Sequence, residues 1–522
     1  MPGEAVTIGQ VLRDQALDRA EHPLLICDAE RISYFEAERR SALTARGLVG
    51  LGAGKGTHVG LLYPNGVAFV VAMLAAARIG AVVVPFSTFA TSRELREQLA
   101  DSDTQILLSA PSFRSHDYVR RLTEAVPGLT VDSADRLFSM AAPQLRHVIV
   151  DTALLEQQAE PVDEEFLTAM EDDVEGCDPA TIVYTSGTTS APKGVLHTHA
   201  SLIDHQRNLN AVRRLTAVDR LFCNSPFFWI GGLGFALLAS MIAGATLVCS
   251  NADDPGRTLD LLEAEKPTVT NGFVAGIRHL AQHPSFPDRD VSSMRRGNLY
   301  PIMSREVRPL DPELRHNMLG MTEAGSVVLL SDDDTDQPEH RRRSFGKPAP
   351  GIDVKIVDPE TRLIVEPGAP GEFCIRGPSL MQRYYKRSRE DCFDADGWLH
   401  TGDLVTTDND GFFYYLGRRG SMIKTAGANV SPSEVEQAIT GITGCAAFVL
   451  GVPDPDRGQA VAAVVVVDNG AGVDESDLRR ALAIQLSAYK IPRRFVMLAP
   501  SELPLLASGK PDLARLKELF DA

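Results

Sequence analysis

The stretch TIVYTSGTTSAPKGVLHTH, residues 181–199, decides how the chain is read. Its opening residues, Thr181 to Tyr184, are apolar and rich in β-branched and aromatic side chains, as in a buried strand. They run into Thr185, Ser186, Gly187, Thr188 and Thr189, and then Pro192, Lys193 and Gly194. Small hydroxyl residues and glycine let backbone N–H groups and side-chain donors close on phosphate oxygens, and a lysine adds positive charge. This is not the Walker pattern, because no glycine precedes Lys193 and no Ser or Thr follows it. Four of these residues alone would read as a Ser/Thr-rich turn. The whole string after a strand reads as a phosphate-binding loop.

Working outward, the same kind of strand recurs in AVVVPF (81–86), TQILLSA, HVIVD, ATLVCS and PTVTNG, mostly followed by helical spacing. Val67 to Arg78 reads as a buried helix. Repeated β-then-α units with continuous apolar strands imply an α/β fold with parallel sheets covered on both faces. From about Ser344 to Leu416 the texture changes. Pro and Gly become frequent, and VKIVD and EFCIRG look antiparallel, which marks a β-rich subdomain. After Gly417 a compact α+β pattern follows. EVEQAITGI is a helix, AAFVLGV and AVAAVVVVD are strands, and Leu478, Ala481, Leu482 and Leu486 share one helical face. A domain boundary is expected at 417–421.

The chain has 522 residues, 44% hydrophobic and 23% charged, enough for several cores and unlike a disordered segment. Its 52 basic and 69 acidic residues give a formal charge of −17, which disfavours a nucleic-acid binder but permits a local pocket for a small polyanion. Seven scattered cysteines without a C-x-x-C pair fit a reducing cytosol better than a disulfide framework or zinc site. The N-terminus lacks an apolar signal core, and the longest apolar run, Val67 to Phe86, is interrupted by Arg78, Gly80 and Pro85. A cytoplasmic protein without a membrane span is expected.

Further motifs follow in order: MLGMTEAG (318–325), FGKPAPG (345–351), GWLHTGD (397–403), YYLGRRGSMIKTAGANVSPSEVE (414–436) and LPLLASGKPD (503–512). With the phosphate loop, they make the chain resemble the adenylate-forming superfamily, in its acyl-CoA synthetase branch, over nearly its whole length. The resemblance implies a large N-terminal AMP-binding domain (1–417, including the β-rich subdomain at about 344–416), a hinge (418–421) and a small mobile C-terminal lid (422–522). It implies two half-reactions. A carboxylate attacks the α-phosphate of ATP to give acyl-AMP and pyrophosphate, and a thiol then displaces AMP. An anion attacking a polyanion needs positive charge gathered around it.

The resemblance also distributes roles. Thr185, Ser186, Gly187, Thr188, Thr189 and Lys193 would hold phosphates, with Leu319, Gly320 and Met321 beside the nucleotide. Thr322 would touch the α-phosphate, and Glu323 would help hold Mg²⁺. Asp403 would bind the ribose, with Arg418 facing the ribose and phosphates, and Lys510 would be the catalytic lysine of the lid. Lys424 and Gly427 would line the pantetheine tunnel, where a bare backbone lets that arm pass. Gly420 stands at the hinge. His199 matches a position behind the phosphate loop, and His197 and His199 lack the third ligand of a metal site.

Departures from the family pattern cluster around the nucleotide and the hinge. Ser190 stands where glycine is usual. Leu319 stands where an aromatic ring stacks on adenine, a loss on the order of 1 kcal/mol by analogy with aromatic pairs. Leu299, Tyr300, Pro301 and Ile302 replace a Gly-Gly-Ala-Pro stretch, and Tyr300 would be a compensating ring. Gly420 and Ser421 remove the usual hinge charges, which shifts the conformational balance.

SPFFWIGGLGFALL (225–238) would wall the acyl site, with Phe228, Trp229, Gly231 and Gly232 joined by Gly272 and Phe273. No carboxylate is present there to pair with an amino-acid ammonium, and the small residues suggest room for a bulky apolar acid. The leading reading is an acid–thiol ligase using ATP or AMP, Mg²⁺ and coenzyme A. Alternatives are a specialised ligase that mainly thioesterifies an acyl-adenylate made by a separate adenylating ligase, and a lapsed acyl- or nucleotide-binding homologue. Retention of Lys193, Glu323, Asp403 and Lys510 weighs against lapse. The acceptor (coenzyme A or a carrier-protein thiol), the identity of the acid and the oligomeric state stay open.

Overall fold

The computed structural model describes residues 7–185, 193–418, 422–467, 474–504 and 511–521. The β-then-α rhythm folds into two large sheets. In one, His58–Leu62, Val82–Pro85, Ile106–Ser109 and His147–Ile149 run parallel, with Pro179–Thr185 parallel to Val82–Pro85. In the other, Pro23–Cys27, Arg220–Cys223, Thr246–Cys249, Val269–Asn271 and Arg296–Gly297 run parallel, and Glu30–Ser33 turns back at one edge.

The helix Val67–Arg78 buries every residue except Ala68. A helix apolar all round belongs between layers. Its cluster includes Val59 and Val83 from one sheet and Leu221 and Leu247 from the other. Arg78, at its last turn, is buried too. It pairs with the buried Glu171 and with Glu38 Oε1 at 2.5 Å, and donates to Ser41 Oγ at 2.9 Å.

The decisive stretch shows one feature that its periodicity did not reveal. After Pro179–Thr185 the chain comes straight back antiparallel as Lys193–Thr198, with Lys193 opposite Thr185. Only then does the helix His199–Arg213 begin, its first turn capped by the Thr198 side chain accepting from the Ser201 N–H. Thr185 and Lys193, which flank the expected phosphate loop, therefore sit side by side on one sheet.

The β-rich region holds an antiparallel sheet of Asp353–Val357, Gly371–Arg376, Leu399–Thr407 and Phe413–Arg418. A smaller sheet of Leu319–Met321, Ser326–Leu330 and Lys347–Pro348 leads into it. From Ile423 the strands pair into a separate sheet, built on Ala446–Asp454 and Gly458–Val466 and packed by the helices Pro432–Thr443 and Glu475–Gln485. Leu478, Leu482 and Leu486 are buried as expected. Among the described residues, no helix is long and apolar enough to cross a membrane.

Candidate active site

Three contacts gather the residues expected at the phosphates: Lys193 and Tyr384 stand on neighbouring strands of one sheet, and Tyr384 and His197 each reach the turn that carries Glu323. Lys193 opens its strand at the end of the loop, and its ammonium lies over the Tyr384 ring, 5.0 Å from the centroid. The Tyr384 hydroxyl in turn donates to Glu323 Oε1 at 2.8 Å. Glu323 sits in the short turn Thr322–Ala324 after the strand Leu319–Met321. That turn is held from behind by His197, whose Nε2 donates to the Thr322 carbonyl at 2.7 Å. Burial pushes the His197 pKa down to about 4, so the ring is neutral near pH 7 and acts as a fixed prop. His199 instead accepts from the Ile8 N–H at 3.2 Å, anchoring the N-terminal helix Ile8–Arg19. The prop behind the Thr322 turn is thus His197.

Leu319 points into the core shared by Val195, Phe235 and Val328 and is 4% exposed, whereas Gly320 is exposed and Met321 half-buried. Nearby, Tyr300, Asn298, Asn317 and Met318 line a cavity of about 460 Å³. The Tyr300 ring and Met318 of the MLGMTE segment therefore line the same cavity.

Asp403 is buried on the strand Leu399–Thr407, directly opposite Arg418 on Phe413–Arg418. Its backbone N–H donates to Thr401 Oγ1 at 3.1 Å, and the Tyr415 hydroxyl reaches its Oδ1 at 3.4 Å. Lys424, on the first strand of the C-terminal sheet, lays its ammonium over the same Tyr415 ring at 4.6 Å. The turn before Asp403 is fixed by Glu372, which accepts the Gly402 N–H at 3.2 Å. Glu372, Cys374 and His400 are the one group of metal-ligating types found close together among the described residues. Arg362 lies 2.8 Å from Glu372 and 2.6 Å from His400, so a guanidinium already supplies the positive charge there.

The segment expected to wall the acyl site is a run of rings. Trp229 packs edge-on against Phe228 at 5.3 Å and Phe273 at 5.5 Å, and Phe228 meets Phe89 at 5.7 Å. The residues Leu233–Leu238 form a π-helical turn behind it, a distortion often found at functional sites. The glycines divide. A Cβ on Gly232 would meet the Pro226 carbonyl at 2.1 Å, and one on Gly272 would meet Asn224 at 1.8 Å. Both are required by close packing rather than leaving room for substrate. A Cβ on Gly231 would meet nothing nearer than Ser225 Oγ at 3.8 Å, so Gly231 alone of the three leaves space.

Against this wall rests the hairpin of Ile423–Thr425 and Ala428–Val430. Gly427 at its tip has φ +87°, and a Cβ there would lie 2.4 Å from the Phe273 ring. Ser186, Gly187, Thr188, Thr189, Gly420 and Lys510 lie outside the described residues, as does the side chain of Arg418.

With this geometry in view, residues 12–385 match the family described as AMP-binding enzyme, and residues 434–510 match the AMP-binding enzyme C-terminal domain. The chain belongs to the AMP-binding enzyme family. Within it the chain is an AMP-forming acid–thiol ligase of the acyl-CoA synthetase branch. It is 33% identical over 485 residues to a feruloyl-CoA synthase from Amycolatopsis sp, covering 92% of each chain. The o-succinylbenzoate CoA synthetase of Bacillus subtilis, a double mutant bound with a product analogue, superposes with a TM-score of 0.77 at 26% identity, covering 97% of this chain and 98% of that one. The ATP-bound MatB of Rhodopseudomonas palustris superposes with a TM-score of 0.62 at 25% identity, covering 99% of each.

For this AMP-binding enzyme, motif reading found the residues that are consecutive in sequence. It assigns nothing to Tyr384, Phe89 or Glu372, which reach the site from other elements and carry no local pattern, and Tyr415 lies inside the motif 414–436 without a role of its own. The one available signal was composition, since Tyr384 and Tyr385 form an aromatic pair within the β-rich region.

Proposed function

We propose that this ligase activates a bulky, apolar, ring-bearing carboxylic acid and transfers its acyl group to coenzyme A. In the first step a carboxylate oxygen attacks the α-phosphorus of ATP and pyrophosphate leaves. In the second the thiol sulfur attacks the acyl carbon, AMP leaves with the electrons of the broken C–O bond, and the thiol proton passes to water. Lys193 and the loop 186–189 gather the phosphates, Thr322 meets the α-phosphate, Asp403 and Arg418 hold the ribose, and Lys510 serves the first step. Glu323 has one oxygen engaged by Tyr384 and fits a hard cation with oxygen ligands. Mg²⁺ held there would neutralise charge on the phosphates.

The observation that carries this reading is the meeting of Gly427 with Phe273. A hairpin from beyond the hinge, bare at its tip, lies against the acyl wall, where a pantetheine arm must arrive for thiol transfer. The rings of Trp229, Phe228 and Phe273, with no carboxylate in 225–238 or 271–276, favour an uncharged aromatic acyl group. The feruloyl-CoA synthase relative makes ferulate the first acid to try.

A second reading is favoured by one observation: Leu319 is buried in the core and offers adenine no ring. On that reading adenylation is impaired, and the enzyme mainly thioesterifies a preformed acyl-adenylate. Separate assays decide. Acid with ATP is followed by pyrophosphate release, and synthetic acyl-adenylate with coenzyme A by AMP release. Activity in both supports the complete ligase, activity in the second alone supports the specialised one, and activity in neither sinks both. Lys510→Ala is expected to lose the first activity far more than the second.

A further inference from the structure

Around the contact of the C-terminal unit with the N-terminal sheets, one cluster of charge is buried. Lys490 is 5% exposed. Its ammonium lies 2.7 Å from Glu94 Oε1, on the N-terminal helix Ser92–Asp101, and 2.8 Å from Glu434 Oε1, on Pro432–Thr443 of its own unit. Ser487 Oγ donates to the second Glu94 oxygen at 2.6 Å, and the Ser487 N–H reaches Oε1 at 3.3 Å. Beside them Arg93 donates to Gln485 at 2.7 Å.

The cluster is continuous with the active site through aromatic rings. Tyr489, next to Lys490, meets Phe89 edge-on at 6.1 Å; Phe89 meets Phe228; Phe228 meets Trp229; and Trp229 meets Phe273, on which Gly427 rests. The C-terminal unit thus touches this row of rings at both ends, by Tyr489 and by Gly427.

The partners divide by unit. Glu434 and Lys490 belong to the same unit and stay together however it turns. Glu94 is already held in place by its own helix, where it accepts the Thr91 N–H at 2.8 Å as half of a capping box. The bonds lost when the unit swings away are therefore those from Lys490 and Ser487 to Glu94. Although burial opposes ionisation, Lys490 and Ser487 hold the Glu94 carboxyl below its ordinary value, as an ionised partner requires.

We propose that Glu94, Lys490 and Ser487 form an interdomain latch that positions the hairpin at Phe273 for thiol transfer. This rests on the reading of the second half-reaction given above. Removing the latch charge lowers the occupancy of this orientation without touching the reacting atoms. Charge-assisted hydrogen bonds of this kind are worth about tenfold or more in an equilibrium.

The test is Glu94→Gln in the full chain, because glutamine keeps the capping box but removes the charge. Hydrogen exchange, which needs no substrate, is expected to speed up by about tenfold in the hairpin 423–430, while the exchange of Val67–Arg78 is unchanged. With ferulate, or the acid that the two-assay panel identifies, thiol transfer is expected to slow by about tenfold and adenylation to hold or rise. Ser487→Ala, which removes one uncharged donor, is expected to do the same to a smaller extent, and serves if the first variant does not fold. Unchanged hairpin exchange, or equal slowing of both half-reactions, overturns the latch. Because exchange is read without acid or thiol, its result stands even if the proposed substrate class is wrong.

Discussion

Adding one methyl group at Gly427 tests the orientation described above. The Cβ of Gly427→Ala would lie 2.4 Å from the Phe273 ring, against an ordinary carbon–carbon contact of about 3.5–4.0 Å. The hairpin or the ring must move by more than 1 Å. Overpacking of this kind costs about 1–3 kcal/mol, and at about 1.4 kcal/mol per tenfold the population of this orientation falls by about 5- to 150-fold. A second cost, about 1–2 kcal/mol, comes from placing alanine at φ +87°. That cost is borne in every orientation, so it lowers thermal stability and leaves the partition alone. Single-turnover measurements of the two half-reactions separate the effects. Thiol transfer is expected to slow by the first factor while adenylation keeps its rate. A double-mutant cycle with Phe273→Ala supplies the control: that background removes the three atoms nearest the methyl, all of the Phe273 ring, and the loss is expected to shrink at least fivefold. If Gly427→Ala slows both half-reactions alike, or Phe273→Ala restores nothing, the steric argument is wrong.

Two further predictions concern stability. His197, His199 and His205 are each pushed to about 4 by burial, from an unfolded value of 6.5. The unfolded chain takes up protons first, so their contribution is intact above pH 6.5 and is lost as pH falls from 6.5 towards 4. Going from pH 7.5 to 5.5 is expected to cost about 1.4 kcal/mol per ring, or about 4 kcal/mol together; urea midpoints that stay level over this range would contradict it. Arg78→Met leaves the buried Glu171 with Arg13 at 2.7 Å as its remaining ion-pair partner within 3 Å. Breaking a buried pair in this way costs about 3–5 kcal/mol, read as a drop in Tm, and an unchanged Tm would show that the pair is dispensable.

Arg78 also illustrates how much was legible. In the sequence it served to interrupt an apolar run and so to argue against a membrane span. That inference needed only its charge. Its partners Glu171, Glu38 and Ser41 are separated from it by 37 to 93 positions, and no periodicity announces them. The acyl wall shows the opposite error. Gly272 read as space because a glycine is small, yet it is small to admit the Asn224 amide. Composition cannot distinguish room left for a ligand from room already taken.

The sequence by itself determined the alternating α/β framework and the order of the family motifs. These are local properties: a strand, a turn or a run of donors is specified by neighbours along the chain. Only the tertiary structure decided that Tyr384 bridges Lys193 and Glu323, that His197 rather than His199 props the Thr322 turn, and that Glu94 meets Lys490. It alone placed Gly427 on Phe273, which marks the orientation of the C-terminal unit. Such contacts join residues far apart in the chain, and they are chosen by packing and charge pairing among whole elements, a competition that no short stretch of sequence records.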